Sequence, residues 1–328
     1  DIPEADLCCQ LPFEKKMTSP ANFRAQALLR RLMHAQRYDL VCVHTSLAAF
    51  FTRLAAASLR PQPILVNMAH GYLFDDHTPA LKRTLLLAAE RMTAPQTDLL
   101  LTMNRWDYNT AQAYHLGKRI ANIPGVGVDF DRLTPLSPAE RAAGREHLGL
   151  SPEDLLLLYA AEFSSRKNQA ALLRALPLLP ERVKLALPGQ GALLEECRSL
   201  TRRLGVEQRV LFPGYVSPMG PWYAMADAAV SASRSEGLPF NIMEAMHAGL
   251  PVVASAVKGH TDLITDGQSG LLYPYDDEAA FAAAVRRLLA SPEEAAALGA
   301  AAREAVEAYR LDRVLPQVMD LYLSAGKR

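Results

Sequence analysis

Several features that would place a protein quickly are scarce or missing here, and each absence removes a class. Cysteine is rare: Cys8, Cys9, Cys42 and Cys197 show neither a metal-ligand spacing nor a paired framework, so reduced thiols in a cytoplasmic protein are expected. No apolar run approaches the roughly 18 residues that a membrane-spanning helix needs, and no secretory leader is recognisable. A soluble protein, or one held at a membrane surface, is the expectation. Net charge is zero, with 35 basic and 35 acidic residues, which argues against a general nucleic-acid binder. The dinucleotide fingerprint Gly-x-Gly-x-x-Gly is also lacking: GQGALL puts Leu194 where its third glycine belongs, and no clear ribose-binding acid ends the following strand. A nicotinamide-dependent oxidoreductase therefore fits poorly. The opening DIPEADLCCQLPFEKKMTSP has no initiator Met and reads as a loop joined mid-fold, so a fragment or trimmed chain is expected.

What is present is a regular alternation. A chain of 328 residues is long for one core, and two domains are the better expectation. Short β-rich runs at 39–45, 63–69, 97–103 and 119–124 alternate with helical stretches. Such alternation predicts a parallel sheet covered by helices, an α/β doubly wound arrangement. The first helix is expected at Ser19-Pro20, a good cap and first-turn pair, with Ala25, Leu28, Leu29 and Leu32 at helical spacing. Lys15, Lys16, Arg24, Arg30, Arg31 and Arg37 accompany it, and no acid lies between 15 and 37. A solvated helix face and an anionic partner such as a membrane surface are both open readings of that run. After the Gly-, Pro- and charge-rich junction PGVGVDFDRLTPLSPAERAAGREHLGLSPED, strands are expected again at 154–161, 183–189, 209–214, 228–233, 251–256 and 270–274, with a last helix around 312–324. Sheets of this kind bind ligands at the carboxyl ends of their strands, so a cleft between two facing domains is the expected site.

The chemistry concentrates in SEGLPFNIMEAMHAGLPVVASAVKGH, where Glu236 and Glu244 have seven residues between them. Glu236 falls in a Gly-Pro loop after a strand. Glu244 falls inside a helix predicted over 240–248 and stopped at Gly249. Free N–H groups and the macrodipole at that helix start attract phosphate, whereas two carboxylates would repel it unless they accept hydrogen bonds from hydroxyls. A ligand with phosphates in the middle and hydroxylated rings at both ends meets both demands, and a nucleotide sugar is such a ligand. The plainer reading makes Glu236 a helix cap and Glu244 a solvated acid. In AAEFSSRKNQAALLRAL, Arg166 and Lys167 sit at a second strand-to-helix turn. Cations there oppose the helix dipole, and pairing with a diphosphate supplies a reason for them; the plainer alternative is exposed solvating charge.

SRSEGLPFNIMEAMHAGLPVVASAVKGHTDLITDGQSGLLYP, with RKNQ, PGVGVD, HTSLAAFFTRLAA and AHGYLF, strongly resembles the retaining glycosyltransferases of family four, in particular bacterial exopolysaccharide and capsular polysaccharide enzymes. The resemblance covers almost the whole chain. It implies a GT-B fold of two facing Rossmann-like domains: an acceptor-side domain at 1–130 lacking its first βα unit, a nucleotide-sugar-binding domain at 131–310, and a C-terminal helix at 311–328 packing back on the first. It implies that Glu236 and the loop amides of Gly237 and Leu238 hold sugar hydroxyls. Glu244 would bond the ribose, and Lys167 with Arg166 the diphosphate. Gly189, Gly191, Tyr215, Val216 and Asn241 would complete the donor site. Glu236, Lys167 and His70 would be the catalytic group, with His44 and Gly71 on the acceptor side. The implied reaction transfers a sugar with retention from a nucleotide sugar, UDP-linked by family frequency, to a glycan or polyprenyl-linked acceptor. It needs no cofactor or bound metal, and the DFD at 129–131 is not expected to supply one. Residues 15–37 would give a peripheral contact with the inner face of the cell membrane. Two departures stand out: Ala161-Glu162 replaces the Gly-Arg of many relatives, which removes a diphosphate cation, and those relatives begin with a strand, Gly-rich loop and helix ahead of this start. An inactive nucleotide-sugar-binding module is the alternative function. A sugar phosphorylase would need a pyridoxal-phosphate lysine in a suitable context, and none is seen.

Overall fold

The computed structural model describes residues 7–14 and 16–326. Lys15 of the basic run therefore lies outside the described residues. The chain divides into two compact units. One holds the residues up to Gly125 together with those from Pro316 onward; the other is Val126–Leu315.

In the first unit the elements run α1 (Pro20–Gln36), β1 (Leu40–His44), α2 (Ser46–Ala56), β2 (Ile64–Ala69), α3 (Ala80–Thr93), β3 (Leu99–Thr102), α4 (Arg105–Ala113) and β4 (Arg119–Asn122). The four strands pair in chain order, all parallel. Leu99, Leu100 and Leu101 are each fully buried, which is why β3 reads as an unbroken apolar run. Each such leucine contributes about 1.5–3 kcal/mol by leaving water. Helix α1 starts as expected, with the Ser19 hydroxyl accepting from the Ala21 amide. Its buried face differs from the expected one: Asn22, Ala25 and Met33 are buried, while Leu28 is 44% exposed. Leu28 precedes the packed Leu29 by one residue, roughly 100° around the helix, and so turns away from α2. The Asn22 side chain is buried because it ties down the preceding loop, bonding the Glu14 amide and the Glu14 and Lys16 carbonyls.

The second unit runs α5 (Pro138–His147), β5 (Leu155–Leu158), α6 (Gln169–Ala175), β6 (Val183–Ala186), α7 (Leu194–Leu204), β7 (Val210–Leu211), α8 (Gly220–Met225), β8 (Ala228–Ser231), α9 (Phe240–His247), β9 (Val252–Ser255), α10 (His260–Leu263), β10 (Leu271–Tyr273), α11 (Glu278–Ala290) and α12 (Pro292–Val306). Its parallel sheet has the order β10-β9-β8-β5-β6-β7. From β5 the chain winds one way to β7, then returns to the other side of β5 and winds outward through β8. The order therefore reverses between β5 and β8. A last helix, α13 (Leu311–Ser324), carries the chain from the second unit back to the first, which it re-enters at Pro316.

All ten expected strands form, mostly shorter than the apolar runs that announce them. Beyond β5 the backbone nevertheless stays paired: the amides of Tyr159, Ala161 and Phe163 donate to the carbonyls of Ala186, Pro188 and Gln190. This extension brings Gly189 and Gly191 against the backbone of Ala161 and Phe163, so closely that any Cβ would collide. Both glycines hold strongly positive φ, 150° and 153°, a second reason for glycine. Among the described residues no helix is long and apolar enough to cross a membrane.

Candidate functional site

At the order reversal, the loops leaving β5 and β8 lie side by side, the position where open α/β sheets expose a ligand crevice. They are cross-linked: the Arg234 amide donates to the Arg166 carbonyl at 2.8 Å, and Arg234 Nε to the Ser165 carbonyl at 2.9 Å. That brings three charges from distant stretches together. Arg166 Nη1 donates to Glu236 Oε2 at 2.6 Å, and Lys167 Nζ to Glu236 Oε1 at 2.5 Å. Ser233 Oγ is a third donor to the carboxylate, the second on Oε1, at 2.5 Å. Glu236 is only 6% exposed, and burial pushes its carboxyl upward, but the two cations outweigh this and hold it below its ordinary range. The glycine at 259 makes room, since a Cβ there would lie 2.8 Å from Glu236 Cβ. Fully buried His260 stands near enough to act on Glu236 electrostatically, with Nδ1 held by the Ser255 carbonyl.

Glu244 faces a different space. A cavity of about 600 Å³ is lined by Glu162, Gly189, Gln190, Tyr215, Val216, Ser217, Tyr223, Asn241 and Glu244, among others. The Tyr223 hydroxyl donates to Glu244 Oε2 at 2.7 Å. Burial raises the Glu244 carboxyl above its ordinary value, and the Tyr223 bond only partly opposes it. The wall thus mixes an aromatic ring, a mostly exposed Tyr215, with carboxylate acceptors, a suitable lining for a base and a ribose. Helix α9 points its first turn here with Pro239 as a cap that offers no side-chain acceptor.

The expected donor residues therefore fall into two groups rather than one continuous row. Gly189, Tyr215, Val216, Asn241 and Glu244 line the cavity. Lys167, Arg166 and Glu236 form the ion cluster, and neither cation is among the cavity's lining residues. Two placements depart from the simplest expectation: Asn241 Nδ2 is committed to the Ala160 carbonyl at 3.0 Å, and Gly191 packs on Phe163 instead of lining the cavity. The Leu238 side chain is buried, and the expectation for it concerns only its amide. No motif in the sequence marks Tyr223, Ser233 or His260 as part of the site. Tyr223 reaches Glu244 from α8, and no local spacing announces such a partner. Asp129 and Asp131 pair with Arg132 and Arg310.

In the first unit, His44 ends β1 and His70 follows β2, which pairs with it in parallel. His44 Nδ1 lies 2.8 Å from His70 Nε2, and Gly71 comes next with φ 117°. Burial lowers both imidazoles, and His70 is lowered further by His44, so both are neutral at neutral pH.

Residues 154–291 match the family model described as Glycosyl transferases group 1, and residues 6–124 the one described as Glycosyl transferase 4-like domain. The chain is 32% identical over 326 residues to the putative glycosyltransferase EpsD of Bacillus subtilis, covering 98% of this chain and 86% of that one. It is 31% identical over 303 residues to a D-inositol 3-phosphate glycosyltransferase of Xylanimonas cellulosilytica, covering 90% of this chain and 69% of the relative. Among solved structures, Anabaena HepE in complex with UDP and glucose superimposes with a TM-score of 0.81 at 21% identity, covering 94% of this chain and 84% of HepE. WaaG, a glycosyltransferase involved in lipopolysaccharide biosynthesis, gives 0.76 at 21% identity, covering 96% of this chain and 86% of WaaG. At such identities the two structures establish the fold.

Proposed function

The chain belongs to the glycosyltransferases of family four and has their GT-B fold, and we propose that it transfers a sugar from a UDP-sugar to a glycan or lipid-linked acceptor in the building of a polysaccharide, with retention of configuration. The observation that carries this reading is the pairing of two unlike subsites at one sheet reversal: an aromatic and carboxylate-lined cavity holding Glu244, and a cation pair held on Glu236. The complexes of HepE with UDP and UDP-glucose support the uridine donor, and the place of WaaG in lipopolysaccharide biosynthesis supports the polysaccharide.

In this reading Glu244 accepts from the ribose hydroxyls, and Tyr223 steadies its carboxylate. Lys167 has three N–H donors and Arg166 five, and the Glu236 bonds engage only part of them, which leaves donors for a diphosphate. Glu236 keeps both cations aimed and offers its remaining lone pair to a sugar hydroxyl. The bond from the anomeric carbon to the diphosphate oxygen breaks as the acceptor oxygen approaches on the same face, and the acceptor's proton passes to the departing phosphate oxygen. Negative charge grows on the diphosphate, where Lys167, Arg166 and the first amides of α9 stabilise it. These cations supply the charge compensation, so the reading assigns no metal. His70 is assigned to the reacting centre, and His44 and Gly71 to the acceptor. An apolar cavity of about 180 Å³ in the first unit, lined by Leu47, Phe50, Leu73, Phe74 and Leu86, supports an acceptor that carries a hydrocarbon chain.

Calorimetric titration with a panel of nucleoside diphosphates and their sugars tests the donor assignment. Micromolar affinity for UDP, weakened at least about tenfold in Glu244→Ala, is expected, since a lost hydrogen bond to a charged group costs about 1.5–3 kcal/mol. Preference for another base, or binding indifferent to Glu244, would refute it. Donor binding with no transfer to any acceptor would favour a binding module.

A further inference from the structure

Four side chains of the first unit join into one hydrogen-bonded line. The Tyr322 hydroxyl, on α13, lies 3.1 Å from Cys42 Sγ. Cys42 Sγ lies 3.5 Å from His44 Nε2, and His44 Nδ1 lies 2.8 Å from His70 Nε2. Cys42 and His44 are two apart on β1, so both project from the same face of the sheet. Val41 and Val43 point the other way, into the apolar cluster with Met33 and Ala49.

The direction of the hydrogens along this line follows from what each atom can do. Burial raises the Cys42 thiol above its ordinary value and pushes the Tyr322 phenol up as well, so both keep their protons. The thiol has one hydrogen and two neighbours, a phenol oxygen and an imidazole nitrogen. The imidazole lone pair is by far the more basic, so S–H donates to His44 Nε2 and the Tyr322 O–H donates to sulfur. A neutral imidazole accepting at Nε2 carries its proton at Nδ1. His44 Nδ1–H therefore donates to His70 Nε2, which forces the proton of His70 onto Nδ1.

We propose that Cys42 is a positioning residue which, through His44, locks His70 as the Nδ1–H tautomer, so that His70 meets its substrate as a hydrogen-bond donor and not as a base. This rests on the reading that places His70 at the reacting centre. It agrees with proton transfer to the departing phosphate: His70 has no vacant lone pair to take the acceptor's proton, and a donating Nδ1–H suits a sugar or phosphate oxygen. It also gives α13 a part in the site, since Tyr322 occupies the sulfur and leaves the thiol hydrogen only His44 to meet.

Long-range proton–nitrogen NMR of the full chain, labelled at histidine nitrogen and recorded at pH 8, reads the tautomer directly. His70 is expected with a protonated Nδ1 and a bare Nε2. Cys42→Ala, which removes the S–H donor, should release His70 toward Nε2–H, and Cys42→Ser, which restores a hydrogen at that position, should return it to Nδ1–H. Turnover should follow the tautomer, with kcat about fivefold lower in Cys42→Ala, recovered in Cys42→Ser, and the donor KM unchanged. A native His70 protonated at Nε2, or a tautomer indifferent to Cys42→Ala, overturns the proposal. A tautomer that responds as expected while kcat stays constant upholds the relay and removes His70 from the reacting centre.

Discussion

Glu244 is an acid whose surroundings work against its charge, and its proposed role requires that charge. The ionised carboxylate accepts from ribose hydroxyls about twice as strongly as the neutral acid does. Burial raises its pKa, so protonation begins at a higher pH than for an ordinary glutamate, and donor affinity should fall as pH is lowered through that raised value. The Tyr223 bond lowers the pKa, so Tyr223→Phe should move the fall to higher pH, and Glu244→Gln should abolish the slope. Calorimetry with a UDP-sugar between pH 8 and 5 checks this, because its diphosphate, unlike the terminal phosphate of UDP, has no group titrating in that range. A profile that slopes as steeply in Glu244→Gln as in the native chain would remove Glu244 from the donor site. At this scale the residue types were legible in the sequence: an acid in a Gly-Pro loop, an acid on a helix, and two cations at a strand-to-helix turn. Their mutual neutralisation was not, because Arg166 and Lys167 reach Glu236 across some 70 positions, and that proximity exists only once β5 and β8 are neighbours.

Among the elements, the extension of β5 matters most to the site. Residues 159–163 run along 186–190 so closely that Gly189 has no space for a side chain against the Ala161 carbonyl. Gly189→Ala should force this pair apart, costing about 1–3 kcal/mol by overcrowding and more from the positive φ. Both thermal stability and UDP affinity should drop, since Gly189 also lines the cavity. Gly214→Ala is the control, because it has positive φ but open space around its Cβ position. Equal effects in the two variants would mean that backbone conformation alone is at stake. The strands were readable from their apolar runs. Their ends were not, because an apolar run does not reveal where a neighbouring strand stops pairing. The buried face of α1 was half readable: Ala25 and Leu29 follow the pattern, whereas Leu28 faces outward because α2 covers only one stripe.

For the whole molecule, the proposed lipid-linked acceptor calls for a surface contact with a membrane, since among the described residues no helix is long and apolar enough to cross one. Lys16, Arg24, Arg30, Arg31 and Arg37 are exposed along α1 and its flanks, and α3 turns Leu81, Leu85 and Met92 to solvent, 74%, 63% and 62% exposed. The α3 spacing of four and seven residues is that of one helix face. Arg30→Gln with Arg31→Gln should weaken binding to anionic phospholipid vesicles roughly 25-fold, from about 1 kcal/mol per cation near a charged bilayer. Higher salt should mimic the variant. Flotation with vesicles of phosphatidylglycerol reads both, and unchanged binding would place the contact elsewhere or nowhere.

The sequence by itself determined the class of the protein: apolar runs alternating with helical periods require parallel sheets, and the Glu-loop-helix pattern with its flanking residues carries the family. Local preferences suffice for this, since strand, helix and turn are each encoded within a dozen neighbouring residues. Only the tertiary structure decided which charges line the cavity and which face each other, that Tyr223 bonds Glu244, and that Tyr322 closes the line from Cys42 to His70. These are contacts between positions 21, 69 and 280 residues apart, set by the order of the strands and by where α8, α9 and α13 pack, and no local periodicity carries either.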